Sequence, residues 1–225
     1  MFKVKLRAFT LAEVLITLGI IGVVAAMTIP TLITNHQKRQ TVVKLQRAIS
    51  VLNQSYRLAY DEVGEVTQEE ALAMGAEEYF KKFWAPYIKV HMYCKDYKSC
   101  GYKRNNFTTP NPGTNPTIVT KAGTSFITTD GIFYNIRVSG GSGMVSEILV
   151  DLNGAKEPNK VGKDVFVLVR QNSEAKGAVV VPDCSGEDSE FINKDCSNDS
   201  DQRAYCCAEK IKRAGWNIDK SYPWK

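Results

Sequence analysis

A chain of 225 residues with 44% apolar side chains has room for one membrane helix and one modest globular head, and is cramped for a two-domain enzyme. The formal charge of +5 overstates its basic character: without Lys3, Lys5 and Arg7 at the start, 26 positive side chains face 24 negative ones, a balance that disfavours nucleic acid as a partner. Two histidines, His36 beside the apolar segment and His91 alone in a loop region, leave little for Cys/His or Ser/His catalysis. No HExxH, P-loop or CxxC pattern occurs, and Gly140-Gly141-Ser142-Gly143-Met144 misses the last glycine of a nucleophile elbow, so no enzyme is expected.

In chain order, residues 14–35 carry no charge, and as a helix they would run ~33 Å, enough to cross a hydrocarbon core of ~30 Å. One carboxylate, Glu13, stands at the leading edge, where an ionisable group is costly unless paired. The basic start places the N-terminus in the cytoplasm and everything after about residue 35 outside. A cleaved secretory signal ending at Val24-Ala25-Ala26 is the competing reading. Glu13 inside the apolar region and the continuation through Met27, Ile29, Leu32 and Ile33 argue against it. Pro30 removes an intrahelical hydrogen bond and, with Gly19 and Gly22, marks a compliant stretch.

Further on, Leu45, Ile49, Leu52, Tyr56, Ala59 and Val63 form an apolar stripe on a continuing helix. Lys38, Arg39, Lys44, Gln46, Arg47, Asn53 and Arg57 make its solvated or headgroup-facing side. Gly64 ends that helix, and Thr67-Gln68-Glu69-Glu70 reads as a capping box opening a second, which runs to Phe83 and stops before Pro86. Residues 87–117 read as an exposed loop. Four strands then follow: 125–129, 132–138, 145–151 and 164–169, the first two joined by Asp130-Gly131, and together they predict an antiparallel sheet whose apolar face covers the helical stripe. A last helix is expected over 202–214, with the terminal aromatics docked on the core.

All six cysteines lie beyond the apolar segment, in what this topology makes an oxidising compartment, and an even count reads as disulfides. Cys94 with Cys100 closes a short loop. Cys184, Cys196, Cys206 and Cys207 would staple the C-terminal region to itself, with the adjacent Cys206 and Cys207 taking separate partners.

The run Ala8-Phe9-Thr10-Leu11-Ala12-Glu13-Val14-Leu15-Ile16, behind a short basic leader and ahead of a long apolar helix, resembles the N-terminal signal of type IV prepilins and type II secretion pseudopilins over residues 8–30. It departs from the family at Ala8, where glycine is usual. The resemblance implies an α+β pilin fold: a leader over 1–8, a membrane and polymerisation helix over 9–35, its extracytoplasmic half over 36–63, and a head over 64–225. Within the head it implies a variable loop (87–117), a sheet (118–182) and a disulfide-rich end (183–225). It further implies cleavage between Ala8 and Phe9 by a prepilin peptidase, N-methylation of Phe9, and residence in the bacterial inner membrane before transfer to a pilus or pseudopilus. The partners implied are membrane lipid, inner-membrane assembly machinery, other copies of the chain and related pilins.

In a staggered bundle of such helices, Glu13 would neutralise the terminal amine at Phe9 of a neighbour, and the segment around Pro30 would serve as a spring. Calcium binding, frequent in major pseudopilins, directs attention to Asp151, Asn153 and Asp164, or to Asp183, Glu187 and Asp188. Neither set has EF-hand spacing, since Lys156 and Gly162 fall where ligands would be needed, so acidic turns are the plain reading and no cofactor is otherwise expected. The alternatives are a membrane-tethered exported binding module that never polymerises, a DNA-binding competence pilin using the basic helix side, and a plainly secreted protein.

Overall fold

In a computed structural model, the chain is described over residues 10–109, 115–120, 122–140, 144–171, 179–198 and 203–224. Ala8 and Phe9, the tract at 110–114, the glycine turn at 141–143, and Asp199, Asp201 and Gln202 lie outside those residues. The dominant element is α1, Leu11–Val63, one helix of 53 residues that runs through Pro30 without interruption. It contributes to both of the compact units into which the chain divides, Met1–Gln40 and Thr41–Lys225.

The second unit is α+β. After α1 come α2 (Gln68–Met74) and α3 (Ala76–Phe83), then strands β1 (Val90–Tyr93), β2 (Gly123–Thr128), β3 (Phe133–Val138), β4 (Met144–Asp151), β5 (Val165–Gln171) and β6 (Val179–Pro182), and finally α4 (Ser189–Asp195) and α5 (Cys207–Arg213). The six strands form one antiparallel sheet in the order β1-β2-β3-β4-β5-β6, so β1 and β6 are its edges.

The stripe on α1 is buried at Val42, Leu45, Ala48, Leu52, Tyr56 and Ala59, as a 3.6-residue period demands of a helix covered on one side. Val63, expected in that stripe, is 38% exposed because the helix ends there, with Gly64 turning the chain at φ 82° while its N–H bonds Tyr60 O. The polar side of this half is not purely solvated. Lys44 Nζ donates to Leu152 O at 3.1 Å, Arg47 pairs with Asp130 at 3.1 Å, and the Asn53 amide bonds both the N–H and the carbonyl of Val180. Asn53 thereby occupies the free edge of β6 as another strand would, and blunts it. Arg170 of β5 is fully buried, its guanidinium 4.2 Å from the Tyr56 ring centroid and bonded to Val66 O, tying the end of α1 to the sheet.

Several expectations are corrected. The capping box at Thr67 and Glu70 is present, but the single helix it opens is two, because Gly75 adopts φ 78° and breaks the ladder between α2 and α3. The sheet has six strands instead of four. Both additions are four-residue edge strands, too short to show a period. His91 accordingly lies in strand β1. The β2–β3 hairpin turns through three residues, Thr129, Asp130 and Gly131, since Thr128 N bonds Ile132 O and Gly131 sits at φ 80°.

The segment read as an exposed loop is pinned down: Tyr102 and Phe107 are buried against Phe133, and Thr108 bridges to Lys160. The last helix starts at Cys207, and α4, unanticipated, is capped by Asp188 accepting from Phe191 N. The terminal aromatics do dock on the core, with Tyr222 buried and Trp216 and Trp224 packed against it.

Candidate functional site

Two places gather the residues that the sequence singles out. The first is the N-terminal part of α1. Its large apolar side chains from Leu11 to Ile33 are all exposed, and the helix is long and apolar enough to cross a membrane by length and composition. A surface of that kind is not left in water by a folded protein, so lipid or protein must cover it.

At its entrance Glu13 is engaged locally. Glu13 Oε2 accepts from Thr10 N at 2.8 Å and Thr10 Oγ1 at 2.7 Å, Glu13 N lies 3.2 Å from Thr10 Oγ1, and Val14 N bonds Thr10 O. That is a capping box with Thr10 as N-cap. The signal for it, Thr-x-x-Glu ahead of an apolar run, stands in the sequence at Thr10 and Glu13. The arrangement turns the carboxylate back onto the first turn of its own helix. Within the helix, Thr28 and Thr34 donate to Val24 O and Pro30 O at 2.9 Å, the back-bonding to i−4 usual for a threonine inside a helix.

The second place is the β4–β5 connection, where Asp151, Asn153 and Asp164 do come together. Asp151 is fully buried: Oδ2 accepts from Tyr102 OH at 2.8 Å and Oδ1 from Asn153 N at 3.1 Å. Asp164 accepts from Lys160 N at 2.7 Å, Asn159 N at 3.0 Å and Asn153 Nδ2 at 3.2 Å. Desolvation pushes both carboxyls above the usual range, Asp151 well above it and further raised by the charge of Asp164.

The Asn159 amide lies 3.0 Å from Lys156 O, 3.2 Å from Asp151 Oδ2 and 3.2 Å from Gly154 O. Its NH2 faces these three oxygens and donates to them, so the amide of Asn159 ties Asp151 to the carbonyls of Lys156 and Gly154. Asn153 adds a buried Oδ1 with no hydrogen-bond partner. Asp164 is occupied by N–H donors. Backbone carbonyls carry no residue-type signal, so this network around Asn159 is not legible in the sequence.

The other acidic set does not assemble. Asp188 caps α4 and Asp183 Oδ1 accepts from Cys184 N at 2.7 Å.

The cysteines pair as Cys94–Cys100, Cys184–Cys206 and Cys196–Cys207, so the adjacent Cys206 and Cys207 do take separate partners. Buried Asp195 lies between the two C-terminal bridges and accepts from Cys206 N at 2.8 Å. Comparison with protein-family models, with curated proteins and with solved structures finds no match for this chain.

Proposed function

We propose that the chain is a structural subunit of a helical filament of the type IV pilus or type II secretion pseudopilus kind, anchored in a membrane by α1 with its N-terminus in the cytoplasm and its head outside until assembly. One observation carries the reading: an uncovered apolar helix with a single carboxylate at its entrance continues without a break into the helix that seats a disulfide-linked antiparallel sheet. In an ordinary membrane anchor Glu13 would serve only to cap the helix with Thr10. In a filament core of low dielectric, Glu13 of one subunit meets the amine created at Phe9 of its neighbour, and every register that leaves Glu13 unpaired is penalised. The role is mechanical and needs no catalytic group.

Mass spectrometry of the mature N-terminus tests it. A species starting at methylated Phe9 is the expected result. One starting at Met27 would show a plainly secreted protein and end the reading.

The β4–β5 turn is the place in the head that would take calcium, through the buried carboxylate of Asp151 and the unpartnered Oδ1 of Asn153. Calcium there would neutralise a buried carboxylate and cross-link the turn. In its absence the sign of the pH response is set by the raised carboxyls. Their contribution to stability is complete below the ordinary value near 3.8 and is lost as pH rises through the elevated folded-state value.

At neutral pH, calcium at ~100-fold over its dissociation constant adds ~2.7 kcal/mol, or roughly 5–10 °C in Tm, and a chelator reverses it. Asp151→Asn, isosteric and neutral, should lose that response while folding at least as stably as the wild type in chelator. A wild-type melt indifferent to calcium refutes the site.

A further inference from the structure

Outside α1 and α2, the large apolar side chains left exposed among the described residues are Met92, Tyr93 and Phe191. Met92 and Tyr93 lie on the edge strand β1, and Phe191 lies in α4, which packs on α5. Their surroundings differ in charge.

Between residues 79 and 109 seven cations stand against one acid, Asp96. Lys82, Lys89, Lys95 and Lys98 are exposed there. A cavity of about 720 Å³ opens between α3 and the β1–β2 edge, with Phe80, Tyr93, Val119 and Lys95 in its wall, and also Lys81 in its ion pair with Glu77. Between residues 183 and 194 there are four acids and one cation, with Glu187, Asp188, Glu190 and Lys194 exposed near Phe191. Arg213 pairs with Glu209 and donates to the carbonyls of Ser185 and Glu187.

An exposed phenyl ring beside Glu187, Asp188 and Glu190 and an aromatic-walled cavity that carries Lys95 thus stand on different elements of the head. The two surfaces differ in charge and sit at different places on the molecule. A contact between them is heterologous, and repetition of a heterologous contact builds an open helical array. The β6 edge is closed by Asn53, which leaves β1 as the edge available to a partner.

We propose that the head of one subunit docks on the next through this pair: Phe191 enters the cavity beside Phe80 and Tyr93, and Glu187 and Glu190 meet Lys89 and Lys95. The occupant is a second copy of this chain. The proposal rests on the filament reading and names its head-to-head contact. Exposed ion pairs of this kind contribute little individually, so they set orientation while the buried ring supplies the hold.

The test places a photo-crosslinking phenylalanine analogue at position 191 of the full-length chain and maps the crosslinked peptides, with electron microscopy of the same preparation. Crosslinks from 191 to residues 76–95 or 119–125 of a second copy are expected. Lys89→Glu with Lys95→Glu should reduce their yield at least 10-fold, and adding Glu187→Lys with Glu190→Lys should restore it. Phe191→Ala, a truncation at an exposed position, should weaken head association without lowering Tm.

Filaments with crosslinks mapping elsewhere would overturn this contact and leave the filament reading standing. The expected crosslinks without filaments would support the contact and sink the filament reading instead. Protection of the β1 edge by single-stranded DNA, with no crosslink between copies, would also overturn it.

Discussion

Glu13→Gln is expected to abolish filament assembly while leaving the chain inserted in the membrane and α1 intact. The glutamine retains the acceptor that closes the capping box with Thr10, so the helix start survives. Only the charge is lost, and with it the attraction for a cationic N-terminus in a low-dielectric bundle. Glu13→Leu should have the same assembly defect plus a frayed first turn, because it also removes the partner of Thr10. The pair of variants therefore separates charge from capping, and electron microscopy of filaments together with membrane fractionation reads both. Normal filaments from Glu13→Gln would overturn the role given to its charge, whereas membrane insertion with no filaments from wild type or variant would favour the tethered binding module.

Loss of the Cys196–Cys207 bridge is expected to be strongly destabilising to the head. The double variant Cys196→Ala with Cys207→Ala should lose ~2–5 kcal/mol, a fall in Tm of roughly 5–15 °C. The reason is local. A Cβ at Gly162 would lie 2.8 Å from Cys207 Sγ, so the bridge is packed directly on the β4–β5 turn, and Tyr222 OH donates to Gly162 O beside it. Removing the bridge loosens the C-terminal tail and the turn together. The Cys94–Cys100 bridge spans 6 residues against 11 and lies next to an edge strand, so its removal should lower Tm less. Thermal melts of the two double variants give the comparison, and equal or reversed losses would contradict this account of the tail.

Much of the molecule is legible in the amino acids because it rests on short-range pattern. The 3.6-residue stripe over residues 45–59, the Thr67–Glu70 box, Gly64 as a helix terminator and the β-branched and aromatic runs of β2 to β5 each follow from local rules. Glu13 stood out for the same reason: one carboxylate at the head of an uncharged run needs no fold to be noticed. The edge strands escaped because four residues, such as Val90 to Tyr93, take their conformation from the neighbour they pair with. Tyr102 and Phe107 escaped because a proline- and asparagine-rich surrounding masks their burial against Phe133.

By itself, then, the sequence determined that a long apolar helix with a carboxylate at its mouth leads into an oxidised α+β head, since helix length, charge and cysteine count are properties of the chain before it folds. Tertiary structure alone decided that Cys184 pairs with Cys206 and Cys196 with Cys207, and that Asp151 and the carbonyls of Gly154 and Lys156 gather on the amide of Asn159. Each of these is a juxtaposition of residues distant in sequence or of backbone atoms without a residue-type signature, and only packing brings such groups together.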